Sequence, residues 1–77
     1  MRAVAETIDA RGLRCPMPTL KLQKALRDAP AGTEIVLLAD DPMSRIDVPH
    51  YCGEAGAELL GVEPSETGWA FRVLRSG

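Results

Sequence analysis

The spacing of apolar residues changes period several times along this chain, and each change marks an element. Residues 4–9 (VAETID) fit a short strand, and Arg11-Gly12 reads as a turn. From Pro18 to Ala29 the pattern is helical. Leu22, Ala25, Leu26 and Ala29 stand at i, i+3, i+4 and i+7 and form one apolar stripe, which Pro30 and Gly32 end. Residues 33–39 (TEIVLLA) form a nearly unbroken apolar run with β-branched members, as expected of a central strand parallel to the first. Asp40-Asp41-Pro42 breaks that run. Asp47 then suits the N-cap of a second helix with Pro49 in its first turn. Val48, Cys52, Ala55 and Leu59 would share one face of this helix, Gly53 and Gly56 weaken it, and Gly61 would close it. VEPSE and WAFRVLR flank Thr67-Gly68, which predicts a hairpin. In its last strand Trp69, Phe71 and Val73 alternate with Ala70, Arg72 and Leu74.

The predicted order is β-α-β-α-β-β. A right-handed β-α-β crossover places the first helix on one face of the sheet, and the second helix should join it there. The expected fold is α/β: a two-layer α/β sandwich with a mixed four-stranded sheet and two helices on one face. The other face, carrying some of Ile35 to Leu38, is expected to be exposed.

Length and composition narrow the chemistry. The 77 residues make a single domain, 1–77, and an apolar fraction of 45% supports a globular core rather than disorder. Two cysteines and one histidine do not make a disulfide framework or a zinc site, so no metal is expected. Nine basic and eleven acidic residues give a net charge of −2, and there is one each of Trp, Tyr and Phe. That balance argues against direct nucleic-acid binding. The N-terminal stretch carries Glu6 and Asp9 and lacks the apolar core of a secretory signal, and no run approaches membrane-spanning length. The expectation is a cytoplasmic protein with free thiols and no membrane association.

Cys15 stands before Pro16 and Pro18, just ahead of the first helix. Proline is tolerated in a first helical turn and pushes the residue before it away from helical angles. Cys15 is therefore expected outside the helix at its positive end. There the amides of Met17 and Thr19, the helix dipole and the charges of Arg11 and Arg14 would stabilise a thiolate. The bland reading is an inert, buried cysteine at a helix start. With Leu22 and Leu26 inward, Met17, Leu20, Lys24 and Arg27 should point outward, either as a docking patch beside the thiol or as scattered surface residues. Cys52 falls on the inner face of the second helix and reads as a core residue. His50 reads as a surface residue, and Asp40 and Asp41 as turn formers.

Leu13-Arg14-Cys15-Pro16-Met17-Pro18 after a strand and a Gly-Leu step resembles the Cys-Pro-x-Pro signature of the TusA (SirA-like) sulfur-carrier family. The resemblance continues through Ala39-Asp40-Asp41-Pro42 and Asp47-Val48-Pro49 with Cys52 behind it, and covers about residues 7 to 75. It implies the same two-layer sandwich and a persulfide carried on Cys15. Pro16 and Pro18 would shape the loop, and Arg14 would support the thiolate. It also implies a cysteine desulfurase or rhodanese-like sulfur donor, a downstream sulfur-acceptor protein, and no cofactor. Family uses of the sulfur include 2-thiouridine in tRNA, molybdenum-cofactor supply and sulfur oxidation. Met17 stands where tRNA-thiolation members often have an acidic residue, and His50-Tyr51 where they tend to have glycine and phenylalanine. Those departures bear on the acceptor rather than on the carrier role. The implied protein is a transfer partner rather than a stand-alone enzyme. Two readings from other classes stand beside it: a thiol redox sensor using Cys15 and Cys52, and a small nucleic-acid-binding regulatory module.

Overall fold

The computed structural model describes residues 3–75. Its elements follow the predicted order: β1 (Ala3–Asp9), α1 (Met17–Asp28), β2 (Thr33–Ala39), α2 (Ser44–Ala55), β3 (Glu58–Ser65) and β4 (Gly68–Leu74). The sheet runs β1-β2-β4-β3. β1 and β2 are parallel, and β2–β4 and β3–β4 are antiparallel. The continuous apolar run became a central strand because both faces of β2 need cover. Ile35 and Leu37 enter the core opposite Val73 and Phe71 of β4. Val36 and Leu38 turn to the other face, where the Arg72 Nε–Glu34 Oε2 pair at 3.1 Å supplies polar cover.

α1 buries the stripe Leu22, Ala25 and Leu26, joined by Pro18 at its start. Val48 and Cys52 from α2 complete a core shared with Ile35, Leu37, Phe71 and Val73. Truncating a fully buried leucine such as Leu22 to alanine costs about 2–5 kcal/mol, a large share of the stability of a chain this short. The edge strand β3 accommodates Pro64, whose missing N–H is tolerated where only one side of the strand is paired.

The helical and hairpin boundaries needed three corrections. α2 begins at Ser44 rather than at an Asp47 N-cap, so Pro49 lies inside the helix instead of in its first turn. The reason is local. The Asp41 side chain accepts the Met43 N–H at 3.1 Å, and Ser44, Arg45 and Ile46 donate to the carbonyls of Asp41, Pro42 and Met43. The chain is therefore already wound before Asp47 is reached. Gly56, not Gly61, closes α2, with the left-handed φ of +73° that glycine adopts without strain. Leu59 consequently lies in β3, not on α2, and Gly61 sits at an irregularity of that edge strand. The hairpin turn is Glu66-Thr67, and Gly68 already belongs to β4. A side chain at 68 would lie 2.6 Å from the Asp40 Cα, so the end of β2 requires glycine there.

Candidate functional site

The loops that follow β1 and β2 meet at the carboxyl ends of these parallel strands, where α/β folds commonly place reactive groups. Side chains from the second loop hold the first. Asp40 accepts the Gly12 N–H at 3.0 Å with each carboxylate oxygen. Asp41 accepts the Cys15 N–H at 2.7 Å while its other oxygen takes the Met43 N–H. Gly12, Leu13, Arg14 and Cys15 thus form one wall of a shallow cleft of about 540 Å³. Asp40, Asp41, Pro42 and Met43 form the other.

Cys15 is exposed, and its peptide bond to Pro16 is cis. Pro16 precedes the first residue of α1 and Pro18 is buried inside its first turn, so the two prolines fix where the loop stops and the helix starts. The expected release of the thiol proton meets a correction at this point. The Cys15 thiol donates to Asp47 Oδ2 from the first turns of α2. That hydrogen bond, partial desolvation, and the negative charges of Asp47 and Asp41 raise the Cys15 pKa above its ordinary value. Asp41 is held below the usual carboxylate range by the amides of Cys15 and Met43, with Arg14 contributing through its charge.

Two of the groups credited with stabilising a thiolate, the Met17 amide and Arg11, are engaged elsewhere. The Met17 amide donates to the Arg14 carbonyl at 2.9 Å. Arg11 binds Asp9 through its backbone and side chain and holds that carboxyl down at about 2. Arg45 lies over the Trp69 ring, 5.2 Å from its centre. Arg14 is exposed on the cleft wall, where its charge acts on Asp41.

Of the outward residues on α1, Met17 and Leu20 are about half exposed, at 45% and 47%. Lys24 and Arg27 are also exposed, but they line two other clefts, one beside β1 and one beside the end of α2. Two apolar residues absent from the sequence reading, Met43 and Ile46, are exposed at the start of α2, and Met43 lines the Cys15 cleft. His50 lies 3.5 Å from Glu54 on the exposed side of α2. Cys52 is buried at 2% exposure, and burial alone raises its pKa. The convergence of Asp41 and Asp47 on Cys15 escaped the sequence reading. The available signal was the pair of short acidic segments that carried the family resemblance. Among the described residues, no cluster of His, Cys, Asp and Glu is arranged to hold a metal ion, and no helix is long and apolar enough to cross a membrane.

Comparison with known proteins gives concordant matches. The family profile described as sulfurtransferase TusA matches residues 6–75. A sulfur carrier protein TusA from Pseudomonas entomophila (strain L48) is 46% identical over 55 residues, which is 71% of this chain and 69% of that protein. The crystal structure of a SirA-like protein from Desulfitobacterium hafniense superposes with a TM-score of 0.70 at 23% identity. That match covers 94% of this chain and 99% of the other, and it establishes a shared fold.

Proposed function

This chain belongs to the sulfurtransferase TusA family, and from that premise we propose that it carries sulfur as a persulfide on Cys15. The observation that carries the reading is the placement of Cys15. Within a chain whose family match spans nearly its whole length, this cysteine is exposed at the tip of a pinned loop, while the other is buried in the core. A cysteine desulfurase or rhodanese-like protein supplies the sulfane sulfur. Cys15 Sγ bonds to the outer sulfur of the donor's persulfide, the donor's S–S bond breaks, and the donor leaves as a thiol. The loaded sulfur is then exposed to attack by the thiol of an acceptor protein. Both steps are exchange at divalent sulfur and depend on thiolate fraction and access. Synthesis of 2-thiouridine in tRNA, or another sulfur-transfer pathway, is the downstream use.

Docking of the donor is assigned to the apolar rim formed by Met17 and Leu20 of α1 with Met43 and Ile46 of α2. Met17 and Leu20 stand at the start of α1 and Met43 and Ile46 at the start of α2, Met43 shares the Cys15 cleft, and all four are 45–64% exposed.

Intact-protein mass spectrometry after incubation with a cysteine desulfurase and cysteine tests the reading. One added sulfur atom is expected on the wild type and on Cys52→Ser, and none on Cys15→Ser. A wild-type protein left unloaded by desulfurase and rhodanese donors alike would remove the reading. A redox sensor resolved by Cys52 is disfavoured by the burial of that thiol.

A further inference from the structure

Two carboxylates reach Cys15, and they do different things. Asp41 is committed to backbone amides. Its two oxygens hold the N–H groups of Cys15 and Met43, so it shapes the loop. Asp47 Oδ2 takes the Cys15 thiol itself. A carboxylate that accepts a hydrogen bond from S–H stabilises the neutral thiol, because deprotonation would leave two anions face to face. The charged groups that face Cys15 are Asp47 from α2, Asp41 from the loop after β2, and Arg14 from its own loop, whose charge acts on Asp41. An exposed thiol kept in this form reacts slowly with stray electrophiles and oxidants, since the thiolate is the nucleophile.

We propose that Asp47 is a positioning residue for sulfur transfer: its carboxylate holds the Cys15 side chain as the protonated, hydrogen-bonded thiol in the unpartnered protein, and transfer begins when that hydrogen bond is given up. The proposal rests on the reading of Cys15 as the sulfur-accepting residue. The balance is simple. The Sγ–H bond breaks, an S–S bond to the donor's outer sulfur forms, and the donor's S–S bond breaks. The released proton ends on the departing donor sulfur. Once loaded, Sγ has no hydrogen to donate, so Asp47 loses its partner. The terminal persulfide sulfur is then pushed away from both carboxylates, toward the solvent side where an acceptor thiol attacks.

The pH dependence of iodoacetamide alkylation tests this, measured in a Cys52→Ala background so that only Cys15 reports. The parent is expected to titrate above 9.0, the ordinary thiol value. Asp47→Asn should lower the midpoint by about one unit, raising the thiolate fraction at neutral pH about tenfold. Intrinsic nucleophilicity falls with pKa, so the alkylation rate at pH 7 should rise by roughly threefold. Asp28→Asn, at the far end of α1, should leave the profile unchanged. A parent midpoint at or below 9.0, or an Asp47→Asn midpoint that is unchanged or higher, would overturn the proposal. The parent midpoint is decisive alone if circular dichroism shows Asp47→Asn unfolded. Sulfur loading, read separately by mass, distinguishes the two failures. A protein that loads but lacks the shift refutes the role of Asp47, and a protein that shows the shift but never loads refutes the carrier reading.

Discussion

The two cysteines of this chain both have raised pKa values, for opposite reasons. Cys52 lies in the core between α2 and the sheet, and burial alone disfavours its charged form. Cys15 is exposed, and a hydrogen bond to Asp47 with the charges of Asp47 and Asp41 holds its proton. One thiol is silenced by apolar burial that only local or global opening removes. The other is silenced by two side chains that a rotation can displace. The difference teaches that exposure and reactivity are set separately. A carrier needs a thiol within reach of other proteins, yet one that does not react with everything it meets.

The largest expected effect is a double dissociation between function and stability. Cys15→Ser should abolish sulfur loading and leave the melting temperature within a degree or so, because an exposed hydroxyl still hydrogen-bonds to Asp47 or to water. Cys52→Ser should load normally below its melting point but lose about 1–3 kcal/mol, because its hydroxyl is buried without a designed partner. For a domain of this size that is a drop of several degrees or more in thermal melts. Equal losses of stability in the two variants would break the contrast.

Alkaline pH separates the pair next. Both thiols bind their protons more tightly in the folded than in the unfolded chain. The stability they contribute is therefore complete below the ordinary thiol value of 9.0 and is lost as pH rises above it. Urea melts across pH 7 to 11 should show stability falling above pH 9, with Cys52 contributing a slope of at most about 1.4 kcal/mol per pH unit. Cys52→Ala should flatten this fall and Asp47→Asn should flatten it less, since burial at Cys52 has no local remedy.

How much of this contrast was legible beforehand differs between its halves. The helical period of Leu22, Ala25 and Leu26 and the apolar run of β2 are local signals that burial then satisfied, so element order and sheet direction followed from the chain. The inward position of Cys52 followed from its spacing to Val48. The start of α2 did not, because its winding depends on the Asp41 side chain capturing the Met43 amide. Asp47 has the residue type of an N-cap, and only the earlier start of the helix releases its carboxylate for Cys15. The basic neighbours of Cys15 suggested a depressed pKa because charges near in sequence were counted. The charges that decide it come from residues 41 and 47, brought close only by the packing of the loop after β2 and the start of α2 against the Cys15 loop. The family resemblance had already singled out both segments without saying that they meet at the thiol.

Contact with partners should matter only to the exposed thiol. Leu20→Gln or Ile46→Gln, neutral changes on the apolar rim, should slow desulfurase-dependent loading by about tenfold, the size of a single good interface contact. Alkylation of Cys15 by iodoacetamide should stay within twofold of wild type, since neither side chain is in the hydrogen-bond set of the thiol. Loading and alkylation falling together would mean that these substitutions disturb the loop itself rather than the docking of a donor.

The smallest expected effect follows from where the controlling charges sit. Carboxylates beside an exposed thiol are screened by salt, whereas a buried group is shielded from it. Raising sodium chloride from about 0.05 M to 1 M shortens the Debye length from well over 10 Å to about 3 Å. The sign is fixed by the charges. Asp47 and Asp41 repel the Cys15 thiolate, so screening weakens the repulsion and lowers the midpoint of Cys15 titration. The direct hydrogen bond to Asp47 is short-ranged and survives salt, so the shift should be only a few tenths of a unit. It should be smaller still in Asp47→Asn, where Asp41 is the remaining anion. Cys52, followed by its slow alkylation through local opening, should show no comparable shift, because its surroundings are apolar side chains rather than charges. A Cys15 midpoint that rose with salt would mean that nearby cations, not these carboxylates, set its protonation. The charges of Arg14 and Arg11 would then outweigh the acidic pair after all.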